Sequence, residues 1–230
     1  MTFQRARSEE QRDQRRRAIL DTTAAMLAEM PVADVALNEI SRRVGLAKSN
    51  VMRYFESREA ILLDLLDTEL RGWVADLEHT LPTVNGTAQG RGDALAATLA
   101  TSMSTRPVLC DLISAQAAVL ERNISTEVAL RHKRATAVSA QLLVGLVTRV
   151  LPELGPDEGY EVVVVTLLMA SAAWPHSQPS EALQAAYAAD PSVAATHMTF
   201  ADVVRRTLEL TISGLLARQP AERPAPAVST

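Results

Sequence analysis

Apolar residues recur along this chain at intervals of three and four positions, which is the spacing of one face of an α-helix. Alternating patterns typical of strands are nearly absent. After Arg58, the positions predicted to face inward are Ile61, Leu62, Leu65, Leu66, Leu70, Trp73 and Leu77. The pattern predicts helices at 8–30, 37–44, 48–55, 58–81, 93–104, 107–122, 125–151, 156–174, 179–189 and 199–218. We therefore expect an all-α chain of about ten helices.

Capping residues mark several of these boundaries. Ser8 and Gln11 have the spacing of a capping box, and Pro31 should end the first helix. Gly45 can adopt the left-handed conformation that closes the second helix. Ser57 is the expected N-cap of the long fourth helix.

Composition divides the chain into parts. The segment LPTVNGTAQGRG (81–92) holds three glycines and a proline and is the clearest linker. We predict two domains, a first one at 8–60 and a second, helical one at 61–218. The residues 219–230, QPAERPAPAVST, contain three prolines and should form a disordered tail.

Charge is distributed unevenly although the net charge is only −4. Residues 1–60 carry 11 basic and 9 acidic side chains, whereas the rest carries 12 basic and 18 acidic ones. The longest nearly apolar run, Val162 to Trp174, is too short to span a bilayer, and the N-terminus has no apolar signal core. We expect a cytoplasmic protein with no membrane partner.

Residues that would support catalysis or metal binding are sparse. The four histidines, at 79, 132, 176 and 197, lack ligand spacing, and no Gly-rich phosphate loop follows a strand. Cys110 is the only cysteine, which excludes an internal disulfide and a cysteine zinc cluster. It lies on an apolar helix and is expected to be a small buried residue. We predict no catalytic residue, no metal and no cofactor.

The stretch GLAKSNVMRYF (45–55) has the character of a recognition helix. Three short helices with a glycine turn are the helix-turn-helix layout, in which the last helix enters the major groove. Lys48 and Asn50 can bind phosphates or base edges, and asparagine can bind adenine through two hydrogen bonds. Val51 and Phe55 should face inward. The alternative is an ordinary turn between helices with a solvated polar face.

An arginine-rich arm precedes this motif. Its cationic residues are Arg5, Arg7, Arg12, Arg15, Arg16 and Arg17. These side chains can contact the DNA backbone. The acidic residues Glu9, Glu10 and Asp13 dilute their charge, so a solvated helix start remains an alternative for some of them.

The segment 37–66, LNEISRRVGLAKSNVMRYFESREAILLDLL, resembles the DNA-binding region of TetR-type transcriptional regulators. Their usual pattern is Thr-x-x-x-Ile-Ala, Ala-Gly-Val-Ser, a variable reader, Tyr-x-Tyr-Phe and Ser-Lys-Glu. The matching positions are Ile40, Gly45, Tyr54, Phe55, Ser57 and Glu59. Together with the residue pattern, the resemblance leads us to assign DNA binding to Leu37, Ala47, Lys48, Ser49, Asn50, Arg53, Tyr54 and Arg58.

Four positions depart from that pattern. Ala36 stands at the usual threonine and Ala47 at the usual serine, so two helix-capping hydroxyls are missing. Met52 replaces a tyrosine that often touches phosphate, whereas Arg58 keeps the charge of the usual lysine. Beyond residue 80 the resemblance is architectural and implies a domain that binds small ligands and dimerises through its last long helices.

Polar residues on otherwise apolar helix faces are the candidates for a ligand site. Gln116 interrupts one face of helix 107–122, and His132 and Ser139 interrupt the face of helix 125–151 that includes Leu142. Trp174 ends a very apolar helix and can rim a cavity. The alternative is that each polar residue is satisfied within the core or an interface.

The last two long helices are the expected dimer interface. Helix 156–174 is apolar almost all round, and Leu208 and Leu215 lie on the apolar face of helix 199–218. Two such pairs across a twofold axis would form a four-helix bundle. Alternatively, one chain covers both faces by itself.

These observations assign 8–60 as a DNA-binding helix-turn-helix domain, with its reading motif at 37–56, and 61–218 as a helical regulatory and dimerisation domain. They predict a homodimeric repressor that leaves a near-palindromic double-stranded DNA operator when an unknown small-molecule effector binds. The first alternative is a constitutive DNA-binding regulator, which would have a filled C-terminal core. The second is an enzyme, which would need convergent ionisable groups in a cavity.

Overall fold

The computed structural model describes residues 2–81 and 85–218, with residues 2–9 described by their backbone alone. Within these ranges the chain forms eleven α-helices and no strand, which confirms the all-α prediction. In chain order the helices are α1 (Thr2–Leu27), α2 (Leu37–Arg43), α3 (Lys48–Val51), α4 (Arg58–Thr80), α5 (Ala88–Ser104), α6 (Pro107–Ala115), α7 (Thr126–Val150), α8 (Pro156–His176), α9 (Glu181–Ala189), α10 (Pro191–Ala194) and α11 (Phe200–Arg218).

Three predicted boundaries were wrong. The first helix begins at Thr2, so Ser8 lies inside it and does not cap it. The third helix is a single turn that ends at Val51. The predicted linker is helical from Ala88 onward: Thr87 is the N-cap, and the buried Arg91 donates to the carbonyl of Val150 at 2.9 Å. The predicted disordered tail lies outside the described residues.

The N-terminal helices pack around a small apolar core. Ile19, Ile40, Val51 and Phe55 are all buried, and the two last residues anchor α3 as predicted. Gly45 has a φ of 70°, which confirms the left-handed turn between α2 and α3. The core thus leaves the opposite side of α3 free.

Helix α4 begins with the expected cap, since the Ser57 hydroxyl accepts from the Ala60 N–H at 3.1 Å. All seven of its predicted inward residues are buried. It runs from the N-terminal helices into the C-terminal ones and contacts α1, α5, α6 and α7. One rigid helix therefore belongs to both halves of the molecule.

Helix α8 lies among α6, α7 and α11. Its Gly159 allows a close approach to α7, because a Cβ there would lie 3.0 Å from Thr148 Cγ2 and 3.3 Å from Val144 Cγ1. On α7, Leu143 is buried and the predicted Leu142 is exposed. The predicted face was therefore wrong by one residue at this point.

Two segments of the C-terminal half are irregular. The predicted helix 107–122 changes to a π-helical turn at Gln116–Leu120, a feature often found at functional sites. Helices α9 and α10 contain no buried residue. None of the helices in the described ranges has the length and apolarity needed to cross a membrane.

Candidate DNA-binding site and its links to the C-terminal helices

The outer face of α3 presents the predicted reading residues to solvent. Ala47, Lys48, Ser49 and Asn50 are all exposed, while Val51 faces the core. The N-cap Ala47 makes no side-chain capping bond, so the first backbone N–H groups of α3 remain available. This face can supply a cation, a hydroxyl and an amide to an incoming base edge or phosphate.

Arg53 and Tyr54 lie beside the N-terminal helix. Together they line a polar cavity of about 740 Å³ whose remaining walls are residues of α1: Gln11, Arg12, Gln14, Arg15 and Ala18. Three arginines thus converge on one open cavity next to the reading helix. An anionic sugar-phosphate backbone is the partner that this charge and shape accommodate.

Two of the predicted DNA contacts, Arg58 and Leu37, make contacts within the protein. The Arg58 guanidinium donates to the carbonyls of Val32 and Val35 and so holds the turn before α2. Those bonds use donors that a phosphate contact would need. Leu37 is half-buried at the start of α2 and packs against the core. We therefore interpret Arg58 and Leu37 as residues that position the reading helix.

Arg16, predicted as part of the cationic arm, has a structural role. Its guanidinium donates to the Tyr54 carbonyl at 2.6 Å and pairs with Asp64 of α4. Its Cζ also lies 4.3 Å from the centre of the Phe55 ring. These contacts fasten α1 to the segment that follows the reading helix.

A carboxylate immediately after that segment links it to the C-terminal half. Glu56 accepts from the backbone N–H and the hydroxyl of Ser125, each at 2.7 Å. These two bonds hold the pKa of the Glu56 carboxyl below its usual range. Because Ser125 is the N-cap of α7, a displacement of α7 would be transmitted through these two bonds to the reading segment, residues 45–55. Sequence patterns did not identify this pair, since its members are 69 positions apart.

A second link joins α6 to the turn that Arg58 holds. The Asp111 carboxylate accepts from the Val32 N–H at 2.9 Å. Burial raises the pKa of this carboxyl, although the Val32 hydrogen bond opposes that effect. Each of the two C-terminal helices is therefore linked to the DNA-binding half by a carboxylate: α6 through Asp111, and α7 through Glu56.

The predicted ligand residues Gln116 and His132 are in contact. Gln116 Nε2 lies 3.1 Å from His132 Nε2, and His132 Nδ1 lies 2.7 Å from Asp67 Oδ1 of α4. Gln116 also donates to Glu121 at 2.7 Å. The side chains thus bond one another across α4, the π-helical turn and α7. This matches the alternative in which these polar groups are satisfied within the protein.

The other two candidate ligand residues lie apart from that pair. Ser139 is buried on α7. Trp174 is half-buried and makes an edge-to-face contact with Phe200, with the ring centroids 5.3 Å apart. The described residues thus do not bring the four candidates to one shared cavity.

A reactive thiol or a cluster of metal ligands would indicate other chemistry. Cys110 is buried, and burial raises the pKa of its thiol to about 12, so it stays protonated. No group of three or more potential metal ligands occurs among the described residues.

The predicted seam residues of α11 are covered within one chain. Leu208 is fully buried and Leu215 is nearly so, which makes that assignment wrong. The exposed apolar residues lie on the opposite side, where Leu210 is 66 % exposed. Helix α8 has a similar outer row, in which Tyr160 is 56 % and Leu168 is 64 % exposed.

Comparison with known proteins agrees with this architecture. The family model "Bacterial regulatory proteins, tetR family" matches residues 19–65, and "Tetracyclin repressor-like, C-terminal domain" matches residues 67–219. The HTH-type transcriptional regulator EthR of Mycobacterium tuberculosis and of Mycobacterium bovis is 38 % identical over 55 residues. That match covers 24 % of this chain and spans only 26 % of the length of those relatives.

Solved structures share the fold over most of the chain. One described as a possible TetR family transcriptional regulator, from Streptomyces coelicolor A3(2), has a TM-score of 0.56 and 17 % identity and covers 88 % of this chain and 98 % of its own. FadR from Bacillus subtilis in complex with stearoyl-CoA has a TM-score of 0.54 and 14 % identity, with coverages of 86 % and 97 %. Since the two family models together extend from residue 19 to residue 219, the chain belongs to the TetR family of bacterial regulatory proteins.

Proposed function

We propose that this protein is a homodimeric repressor that a small molecule releases from a near-palindromic operator in the cytoplasm. The bond between Glu56 and Ser125 carries the proposal, because it joins the end of the reading segment to the start of a C-terminal helix. Through such a link, a change in the C-terminal helices alters the orientation of the reading helix.

The proposed DNA contacts divide into two kinds. Lys48, Ser49 and Asn50 face the bases of the major groove, and Arg53 and Tyr54 contact the sugar-phosphate backbone with the arginines of α1. Contacts to the backbone position the protein, whereas contacts to base edges select the sequence. Ala47 permits close approach because its side chain is a single methyl group.

The proposed dimer is formed by the outer faces of α8 and α11. Leu168 and Leu210 are exposed although they are large and apolar, and a surface that exposes several large apolar side chains is typical of an interface. A twofold axis beside these helices gives a four-helix bundle. The same axis places two reading helices on one DNA duplex, which explains why the operator is expected to be near-palindromic.

The proposed ligand response needs two conformations that the ligand binds with different affinity. In one, the links from Ser125 and Asp111 hold the two reading helices at the operator spacing. In the other, bound ligand moves α6 or α7 and changes that spacing. FadR from Bacillus subtilis, which shares this fold, is in complex with stearoyl-CoA, and this supports ligand binding by a protein of this architecture.

Two alternatives make different predictions. A constitutive regulator would bind the same DNA and release it with no compound. An enzyme would need ionisable groups that are free to act on a substrate. Asp67, His132 and Glu121 do converge, but they are in contact with one another and with Gln116.

The test is selection of bound fragments from genomic DNA, followed by screening of compounds for release. We expect an inverted repeat bound by an even number of chains, and at least one compound that lowers its affinity. Selection that recovers no common sequence would contradict the DNA-binding proposal. A bound single half-site would contradict the dimer, and release by none of the compounds would favour the constitutive alternative.

A further inference from the structure

A groove between α4 and α5 is separate from the reading helix and from the Gln116–His132 pair. Its volume is about 500 Å³. Trp73 and Leu77 form its base and are almost completely buried, while Ala97, Thr98 and Thr101 form one wall. The surface that a guest molecule would meet is therefore rich in methyl groups.

One ion pair lies at the end of this groove. The Arg106 guanidinium pairs with the Asp76 carboxylate, but the two side chains differ in environment, with 23 % and 67 % exposed respectively. Arg106 Nη1 would lie 3.9 Å from a Cβ placed on Gly72, so the guanidinium lies against the backbone of α4. Packing therefore holds the arginine, whereas its partner is a solvated side chain that can turn away.

Four of the five hydroxyl groups that line the groove donate hydrogen bonds within their own helices or helix ends. Thr80, Thr98 and Thr105 donate to main-chain carbonyls three or four residues earlier. Ser102 does the same and accepts from the Trp73 indole N–H at 2.9 Å. These bonds leave the Arg106 guanidinium as the strongest donor available to a guest.

We propose that this groove binds a small apolar molecule with one carboxylate group. The carboxylate takes the place of Asp76 on Arg106, and the apolar body lies along Ala97, Thr98 and Thr101. A guanidinium–carboxylate contact favours an acid over its neutral analogue, because a charge-assisted hydrogen bond is stronger than a neutral one.

The groove is a candidate site for the ligand of the proposed repressor. Its regulatory role rests on that proposed function. Arg106 directly precedes α6, and α6 carries the Asp111 that holds the Val32 N–H. A guest bound to Arg106 therefore lies at the start of a helix that contacts the DNA-binding half. Binding itself can be measured in the absence of DNA.

The experiment uses the full chain with Trp174→Phe, so that Trp73 is the single tryptophan. Dansylglycine is the probe and dansylglycinamide its neutral analogue, and binding is followed by energy transfer from Trp73 to the dansyl group. We expect saturable binding of the acid and binding of the amide that is about tenfold weaker. Equal affinity for acid and amide would overturn the proposal.

Two substitutions should have opposite effects. Arg106→Met should weaken dansylglycine binding to the level of the amide, whereas Asp76→Asn should strengthen it several-fold by removing the competing carboxylate. Arg71→Met, an exposed arginine of α4 outside the groove, should change nothing. If both groove substitutions weaken binding, the ion pair is structural and the proposal fails. If Arg106→Met does not fold, the direction of the Asp76→Asn effect decides.

The two proposals can fail separately. Preference for the acid in a protein that binds no operator would refute the repressor and support the groove. Conversely, if another compound releases the operator and the groove at Trp73 shows no preference for the acid, the repressor is supported and the groove proposal is refuted.

Discussion

Ser125 donates both its backbone N–H and its hydroxyl to the carboxylate of Glu56, each at 2.7 Å. Ser125 is also the N-cap of α7, where the helix dipole favours a negative charge. Glu56 follows Phe55, which anchors the reading segment in the core. One carboxylate therefore joins a long C-terminal helix to the part of the protein that reads DNA.

The energy of this link can be measured with a double-mutant cycle. Glu56→Ala and Ser125→Ala should destabilise the fold less together than the sum of their separate effects, with a coupling of about 0.5–1 kcal/mol because the pair is exposed. Chemical unfolding provides the measurement. Ser180→Ala removes the N-cap of α9, which does not contact Glu56, so it should be additive with Glu56→Ala. Because Ser125→Ala keeps the backbone N–H bond, additivity in both cycles would show that the hydroxyl bond contributes no energy.

The same link should depend on pH. The Ser125 backbone N–H, and then its hydroxyl, lower the pKa of Glu56 below its ordinary value of 4.5. A carboxyl whose pKa is lowered on folding stabilises the folded state above its unfolded pKa, and this contribution is lost as the pH falls through the folded pKa. The stability difference between the parent and Glu56→Ala should therefore be constant above 4.5 and shrink below it. Urea titrations at several pH values would check this, and a difference that grows on acidification would contradict it.

Contacts to the DNA backbone should appear in the salt dependence of operator affinity. If Lys48 and Arg53 each neutralise a phosphate, Lys48→Ala and Arg53→Ala should each lower the slope of log affinity against log salt by about one unit. Fluorescence anisotropy at several salt concentrations gives this slope. Arg149→Ala is the matched control, because Arg149 is exposed at the far end of α7. An equal change in the control would indicate an effect of overall charge.

Asn50 should read a base. Asn50→Ala should relax the preference at one position in each half-site, at a cost of about 1–3 kcal/mol for the preferred base. Selection from randomised half-sites, with parent and variant side by side, would reveal the position. A uniform loss of affinity over all sequences would assign Asn50 to the backbone instead.

The dimer interface can be separated from the core by comparing neighbouring leucines of α11. Leu210→Arg should yield a folded monomer, because Leu210 is 66 % exposed in the protomer and the new charge would lie in the proposed seam. Leu208→Arg should prevent folding, because Leu208 is fully buried. Light scattering and circular dichroism distinguish these outcomes. Leu130→Arg on α7 should remain a dimer, and a dimeric Leu210→Arg would place the interface elsewhere.

Local patterns were sufficient for most helices and for the exposed face of α3. The inward residues of α4, the cap at Ser57 and the turn at Gly45 depend on interactions within a few positions, so the sequence alone predicted them correctly. Helix ends were less predictable where tertiary contacts decide them. Helix α5 begins at Ala88 inside a glycine-containing segment, where the local cap at Thr87 is joined by contacts of the buried Arg91 to residues near 150.

The tertiary structure alone decided which polar residues meet. The sequence identified Gln116 and His132 as polar interruptions of two apolar helix faces, but it did not reveal their contact or Asp67 of α4 as the third member of the cluster. It also could not show that Arg58 turns inward or that Leu210, rather than Leu208, remains exposed. Amphipathic spacing shows which face of a helix is apolar. The helix that packs against that face, and the contacts of long polar side chains, depend on how distant segments of the chain come together. For the same reason, Glu56 and Ser125, 69 positions apart, could be paired only once the fold was known.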